Sequence, residues 1–298
     1  MARRSSSTAE KSRAFVVVNT AVLLLIAVGC LYPFVYVLAV SLSDADAVNT
    51  GRIWLWPEGF NVYTYLHVFT TPRLGVLRAL LNSILYTFVS TVVSVALTYL
   101  TGYALSRRKL PSRHVIMFVF IATWIFDAGI VPAYLVNERL GFVNNWLVMV
   151  IPPAVSTFLL IITRSFLQAI PDELEEAAGI DGANDWQIMS RVFFPLSKPV
   201  LATIGIFYAV QTWNSFLLPL IYLRDEALRP IQLVLYELLV ADDPSSTNFE
   251  QIVINGVQLS PESIRAAIMV LAMVPIVAMY PYAQRYFAKG MLIGSVKG

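Results

Sequence analysis

Long stretches without charge constrain this chain more than any other feature. Thirty uncharged positions lie between Arg13 and Asp44, 28 between Arg78 and Arg107, 24 between Arg139 and Arg164, 25 between Lys198 and Arg224, and 19 between Arg265 and Arg285. A sixth stretch, Arg113 to Glu138, encloses 24 positions with one acid, Asp127. Most are rich in Val, Leu, Ile, Phe and Ala. A helix needs about 20 apolar residues to cross a bilayer core. The next longest gap, 59–72, carries Asn61, Thr64, His67, Thr70 and Thr71 and reads as a surface segment. The pattern predicts an all-α integral membrane protein with six transmembrane helices.

Composition agrees. With 57% hydrophobic and 13% charged residues the chain has too little polar surface to cover a soluble fold of 298 residues. That argues against a cytosolic enzyme, a secreted binding domain and a disordered scaffold. A net charge of +2 gives no basic field for nucleic acid. A single cysteine and two distant histidines, His67 and His114, leave no disulfide framework, thiolate cluster or HExxH zinc site.

Lys and Arg set the orientation. With both termini cytoplasmic, 14 of them fall inside and 7 outside. Residues 1–14 are basic and Ser-rich, and Ala27-Val28-Gly29-Cys30 has the look of a lipoprotein cleavage box. The apolar run is about twice a signal core of 7–15 residues and stays apolar beyond Cys30, so an uncleaved first helix kinked at Pro33 is expected. The expected organisation is a cytoplasmic tail (1–14), a first helix and extracytoplasmic loop (15–77), and a core of five helices (78–287). The core carries a cytoplasmic loop (164–199) and an extracytoplasmic loop (221–263), and a cytoplasmic tail follows (288–298). Ser260-Pro261-Glu262 reads as a helix start.

The loop 164–199 carries the most information. Pro171 suits a first helical position, with Asp172 and Glu173 at the positive end of the helix dipole. Leu174, Ala177 and Ala178 recur at helical spacing and are expected on one face. Gly179 and Gly182 stop the helix. A second amphipathic run follows through Trp186, Ile188, Met189, Val192 and Phe193, with Pro195 and Pro199 bracketing the return to the membrane. Four acids in positions 172–176 and no base would be repelled by anionic headgroups, so a protein partner fits the helix better than the bilayer surface.

Here the sequence resembles a known family. Glu176-Ala177-Ala178, three residues, Gly182, nine residues, then Val192-Phe193-Phe194-Pro195 is similar to the EAA signature of binding-protein-dependent ABC importer permeases. Ile170 to Pro199, Trp213-Asn214, and the tail Tyr286–Gly290 and Gly294–Gly298 resemble the carbohydrate-uptake permeases of the maltose type. The resemblance implies the type I ABC importer permease fold in a bacterial inner membrane, crossed several times. It implies a heterodimer with a paralogous permease, two cytosolic ATPase subunits, and an extracytoplasmic binding protein that delivers a sugar, an oligosaccharide. ATP and Mg would belong to the ATPase, and this chain would be non-catalytic and hold no cofactor. The chain has no GxxxxGK[ST] loop of its own. Glu173, Glu176, Ala177, Ala178, Gly182 and Pro195 would couple to the ATPase, within a coupling helix Asp172–Gly182. Lys289, Gly290 and Lys297 would contact it from the tail.

Candidates for the substrate path are Asp127, Tyr208, Gln211, Trp213 and Asn214. Intramembrane acids are functional leads, and sugars bind to aromatic faces rimmed by amides. Helix–helix hydrogen bonding is the competing role for the last four, and pairing with a neighbouring helix for Asp127. Asn82, Ser83 and Tyr86 are weaker candidates. In the maltose-type transporter the sugar contacts come from the partner permease, which implies that this chain lines the path without gripping the ligand. The competing function is a proton-coupled secondary transporter using Asp127, which would ordinarily show an internal repeat. An intramembrane enzyme ranks last, because no nucleophile–base pair or metal cluster is visible.

Overall fold

The computed structural model describes residues 13–240, 252–254 and 257–294. The helices, in chain order, are α1 (Arg13–Ser41), α2 (Ala45–Asn49), α3 (Tyr63–Thr70), α4 (Val76–Ser106), α5 (Arg113–Ile125), α6 (Ile130–Arg139), α7 (Thr157–Gln168), α8 (Glu173–Ile180) and α9 (Asp185–Gln187). A π-helical segment, Ile188–Phe193, leads without a break into α10 (Phe194–Trp213). Then come α11 (Leu217–Tyr222), α12 (Ile231–Val240), a two-stranded antiparallel hairpin of β1 (Ile252–Ile254) and β2 (Val257–Leu259), and α13 (Pro261–Gly294). Residues 1–12, part of the loop 221–263 and Lys297 lie outside the described residues.

Two compact units emerge: residues up to 70 with 244–270, and 71–243 with the rest of the chain. In the first, the last part of α1 packs Ala39 and Val40 against Ala47, Ile53 and Ala266. The rest of α1 is apolar on every side and exposed, with Leu25 75% accessible. A helix of that kind is stable only in lipid or against another apolar surface. It runs through Pro33 as one helix. α13 begins at Pro261, where the Ser-Pro-Glu triplet puts the start.

The second unit is built around α4, which packs along α10 and α7. The buried face of α4 carries Ser83, Ser90, Ser94, Thr98 and Gly102, all small. Small residues let helix backbones approach closely where lipid supplies no hydrophobic drive. At Gly102 an added Cβ would stand 3.1 Å from Thr163 Cγ2 of α7.

Three of the six apolar runs are not single helices; the fifth, between Lys198 and Arg224, divides into α10 and α11. Among the described residues, four helices are long and apolar enough to cross a membrane, or five if the bent pair α5–α6 is one span. α5 and α6 meet at 119° around Phe126–Gly129. The fourth run is a 3-10 turn (Trp146–Met149) followed by the 12-residue α7. Between them stands Pro152-Pro153, which offers no N–H and blocks a continuous ladder. The second amphipathic run of the loop 164–199 is not separate from the fifth span. It is the first part of one 29-residue helix, Asp185–Trp213. Pro195 and Pro199 therefore sit inside a helix rather than at its entrance. A π turn, Ile188–Phe193, stands just before them. The loop 221–263 also holds a helix of ten residues, α12.

Candidate functional site

The acidic stub α8 is held by its C-terminal end and one side. Gly182 follows it at φ +78°, with the Gly182 N–H donating to Gly179 O (3.0 Å) and the Ala183 N–H to Ala178 O (3.0 Å), a Schellman closure. Asn184 then opens the next helix with a reciprocal capping box: Gln187 N–H to Asn184 Oδ1 (2.9 Å) and Asn184 N–H to Gln187 Oε1 (3.0 Å). A helix stop and a helix start thus share one short turn, and its backbone donors are nearly all spent.

The sides of α8 differ from expectation. Ala178 turns inward onto the core of Tyr99, Tyr103, Leu167, Ile188 and Phe193. Leu174, Ala177, Glu173 and Glu176 face out, so the three residues expected on one face are divided. Neither Glu173 nor Glu176 forms an ion pair among the described residues. Ile180 is 88% exposed and Trp186 67%. The outward side is therefore two solvent-facing carboxylates interleaved with small and apolar groups.

The inward side is pinned by Glu175, which the sequence did not single out. Its Oε2 accepts from Arg107 Nη1 (2.9 Å) and its Oε1 from Lys109 Nζ (2.9 Å). Burial works to raise the Glu175 carboxyl, but the Lys109 and Arg107 hydrogen bonds and charges outweigh it and hold it below the usual carboxylate range. Lys109 is pushed up, mainly by its bond to Glu175. The sign for Glu175 follows: a depressed value contributes stability above the ordinary value of 4.5 and loses it as pH falls through the lowered value. Amide exchange of α8, corrected for intrinsic rates, is expected to be unchanged from neutral pH down to about 5 and to rise only below 4.5. Loosening near neutrality would show that the pair is not what holds the stub.

The path candidates separate. Gln211 and Asn214 are exposed and about one turn apart. Trp213 is buried, and its Nε1–H donates to Ala272 O (3.0 Å). Tyr208 is 2% exposed. Its hydroxyl pairs with Thr98 Oγ1 (2.7 Å) and accepts from the Ser156 N–H (2.9 Å), tying α10 to α4 and to the start of α7. Tyr208→Phe leaves that N–H without its acceptor, an expected cost of about 1–3 kcal/mol. A lower thermal midpoint with an unchanged transport KM is the expected reading. Asp127 is exposed in the α5–α6 break, and its Oδ1 accepts from the Gly129 N–H (2.7 Å). It shapes a turn with Gly129 at φ +80° and pairs with no neighbouring helix among the described residues. Asn82 donates to Ala227 O and Arg229 O, Tyr86 to Leu228 O, and Ser83 accepts from the Ile231 N–H, so all three hold the segment before α12. Lys289 and Gly290 fall in the last part of α13.

Several apolar helices of membrane-spanning length, with a short acidic stub clamped beside them, are the form of a membrane transport component. The chain belongs to the family described as binding-protein-dependent transport system inner membrane component, whose profile matches residues 74–293. It is a permease subunit of an ABC importer of the bacterial inner membrane, with the type I importer permease fold. It is 36% identical over 288 residues to the polygalacturonan/rhamnogalacturonan transport system permease protein YtcP of Bacillus subtilis, covering 97% of this chain and 100% of the relative. Protein LplC of the same organism is 38% identical over 266 residues, 89% of each chain. A chain of the crystal structure of a bacterial ABC transporter involved in importing the acidic polysaccharide alginate matches with a TM-score of 0.84 at 31% identity. The match covers 96% of this chain and all of that one. Membership of this family displaces the proton-coupled alternative.

Proposed function

We propose that this permease imports an oligosaccharide and is driven through α8 by a separate ATPase. The observation that carries the reading is the outward side of α8: solvent-facing Glu173 and Glu176, small Ala177, and Ile180 almost wholly exposed on a stub pinned from behind. A clamped helix end can pass on displacement only if it is stiff, and the Gly182 turn and Glu175 pair make it so. The relatives named for polygalacturonan, rhamnogalacturonan and alginate transport support a sugar cargo. The family description supports delivery by a binding protein.

In this reading a paralogous permease completes the pore. Two ATPase subunits bind ATP and Mg on the cytoplasmic side, where both termini also lie. Glu173, Glu176, Ala177, Gly182 and Pro195 belong to the coupling surface, with Ala178 packed behind it against the core, and Lys289, Gly290 and Lys297 belong to the tail contact. Gln211 and Asn214 are the path residues whose amides remain open to a sugar. Tyr208 and Trp213 shape the wall behind them, and Asp127 shapes the α5–α6 turn.

Uptake by proteoliposomes holding the complete importer, with its binding protein outside and ATP inside, tests this. Oligosaccharide accumulation that needs ATP and survives collapse of the proton gradient is the expected result. Accumulation of amino acids or metal ions alone would overturn the cargo, and uptake driven by the gradient would overturn the energy source.

A further inference from the structure

The cluster at the end of α4 points to a residue that carries the stroke. We propose that Arg107 is a positioning residue of the transport cycle, fastening α8 to the membrane bundle so that displacement of α8 moves α4, α7 and α10 with it. This rests on the reading of α8 as the ATPase-docking stub.

The guanidinium is a four-way joint. Nη1 donates to Glu175 Oε2 of α8 (2.9 Å) and Nη2 to Leu167 O (2.9 Å). Nε donates to Ser106 Oγ at the end of α4 (3.0 Å), and the group lies 4.3 Å from the Phe193 ring centre in the π segment. Leu167 is in the last turn of α7, where carbonyls have no partner within the helix. Arg107 is only 7% exposed. Its charge sits where water does little to shield it, so moving α8 away would leave a desolvated cation without its counterion. Lys109, which grips the other oxygen of Glu175, is exposed and screened and cannot impose that penalty. Only arginine's planar fork reaches a carboxylate and a carbonyl at once while its face rests on an aromatic ring. Arg107 thus joins the segment that precedes α8, α8 itself, the segment that follows it, and α4.

The test uses the whole importer in proteoliposomes with its binding protein, measuring ATP hydrolysis and sugar uptake in the same vesicles. Arg107→Lys keeps the charge and loses the fork; Glu175→Gln keeps the arginine's other contacts and loses the pair. Both are expected to retain bound ATPase and binding-protein-stimulated hydrolysis, while sugar moved per ATP falls roughly tenfold. A merely structural role would lower the amount of assembled importer and leave that ratio at its wild-type value, which would overturn the proposal. Should Arg107→Lys fail to assemble, Glu175→Gln decides alone, and a wild-type ratio there overturns it equally. An Ile180→Cys importer supplies the separate control. Failure of the thiol introduced in that variant to cross-link to the ATPase would remove the docking reading itself, whatever the ratio in the other variants.

Discussion

Gly182→Val is expected to leave the protein in the membrane at normal abundance and to abolish sugar-stimulated ATP hydrolysis. Gly182 holds φ at +78°, a region that a β-branched residue occupies only under strain. No atom lies within 4 Å of the position an added Cβ would take, so the effect comes from the backbone alone and not from a clash. The strain, about 1–2 kcal/mol or more, is relieved by opening the Schellman closure. That frees the carbonyls of Ala178 and Gly179 and uncouples α8 from the Asn184–Gln187 cap. The membrane helices keep their own contacts, so insertion does not suffer. Gly182→Asn separates conformation from other causes, because asparagine tolerates the left-handed region and should retain most of the activity. Normal sugar-dependent turnover in the valine variant would show that the geometry of this turn is irrelevant to coupling.

The second large effect is expected from Gly102→Val, for the opposite reason. Here the backbone is ordinary helix and the space is missing. The first added carbon already meets Thr163 Cγ2 at 3.1 Å and the Arg164 backbone nitrogen at 3.6 Å. Thr163 is fully buried, and its hydroxyl is committed to Leu159 O (2.8 Å), so it cannot turn aside without cost. Overpacking of this kind costs about 1–3 kcal/mol, and α4 and α7 must separate to relieve it. Because α7 runs directly toward α8, the separation also shifts the stub relative to Arg107. A lowered thermal midpoint of the purified importer together with loss of uptake is the expected pair of results. An unchanged midpoint would mean that the crossing is looser than 3.1 Å implies.

Much of the site could be read from the chain before its fold was known, because its signals are local. The glycine that ends α8, the acids at its start and the prolines around it are neighbours in sequence. Each acts through the conformation of its own few residues. The apolar runs are legible for the same reason: solvent preference is a property of composition over a window. What escaped was either a break inside an apolar run or a partnership across the chain. Asp127 looks like a lone intramembrane acid until its carboxylate is seen to accept from Gly129, two residues on. Pro152-Pro153 is visible, but the run around it is as apolar as a whole span. Arg107 stands in a short run of bases, and nothing nearby announces that Glu175, 68 positions later, draws it under cover. One signal was available: a run of bases at 107–109 and a run of acids at 172–176 are complementary in sign. Asn82, Ser83 and Tyr86 have two possible readings, contact with cargo or hydrogen bonding within the bundle, and only the position of the segment before α12 decides for the second.

The wide turn at Ile188–Phe193 sets the phase of everything that precedes it. Ile188 and Phe193 are both buried although five positions separate them, which an ordinary winding would place on different sides. Each residue advances a helix by roughly 100°, so deleting a single amino acid there would swing the Asn184 cap, and the acidic stub hinged to it, about a quarter of a revolution away from its seat. The surplus residue is thus an angular offset, aligning the stub with a rod whose own pitch would have aimed it elsewhere.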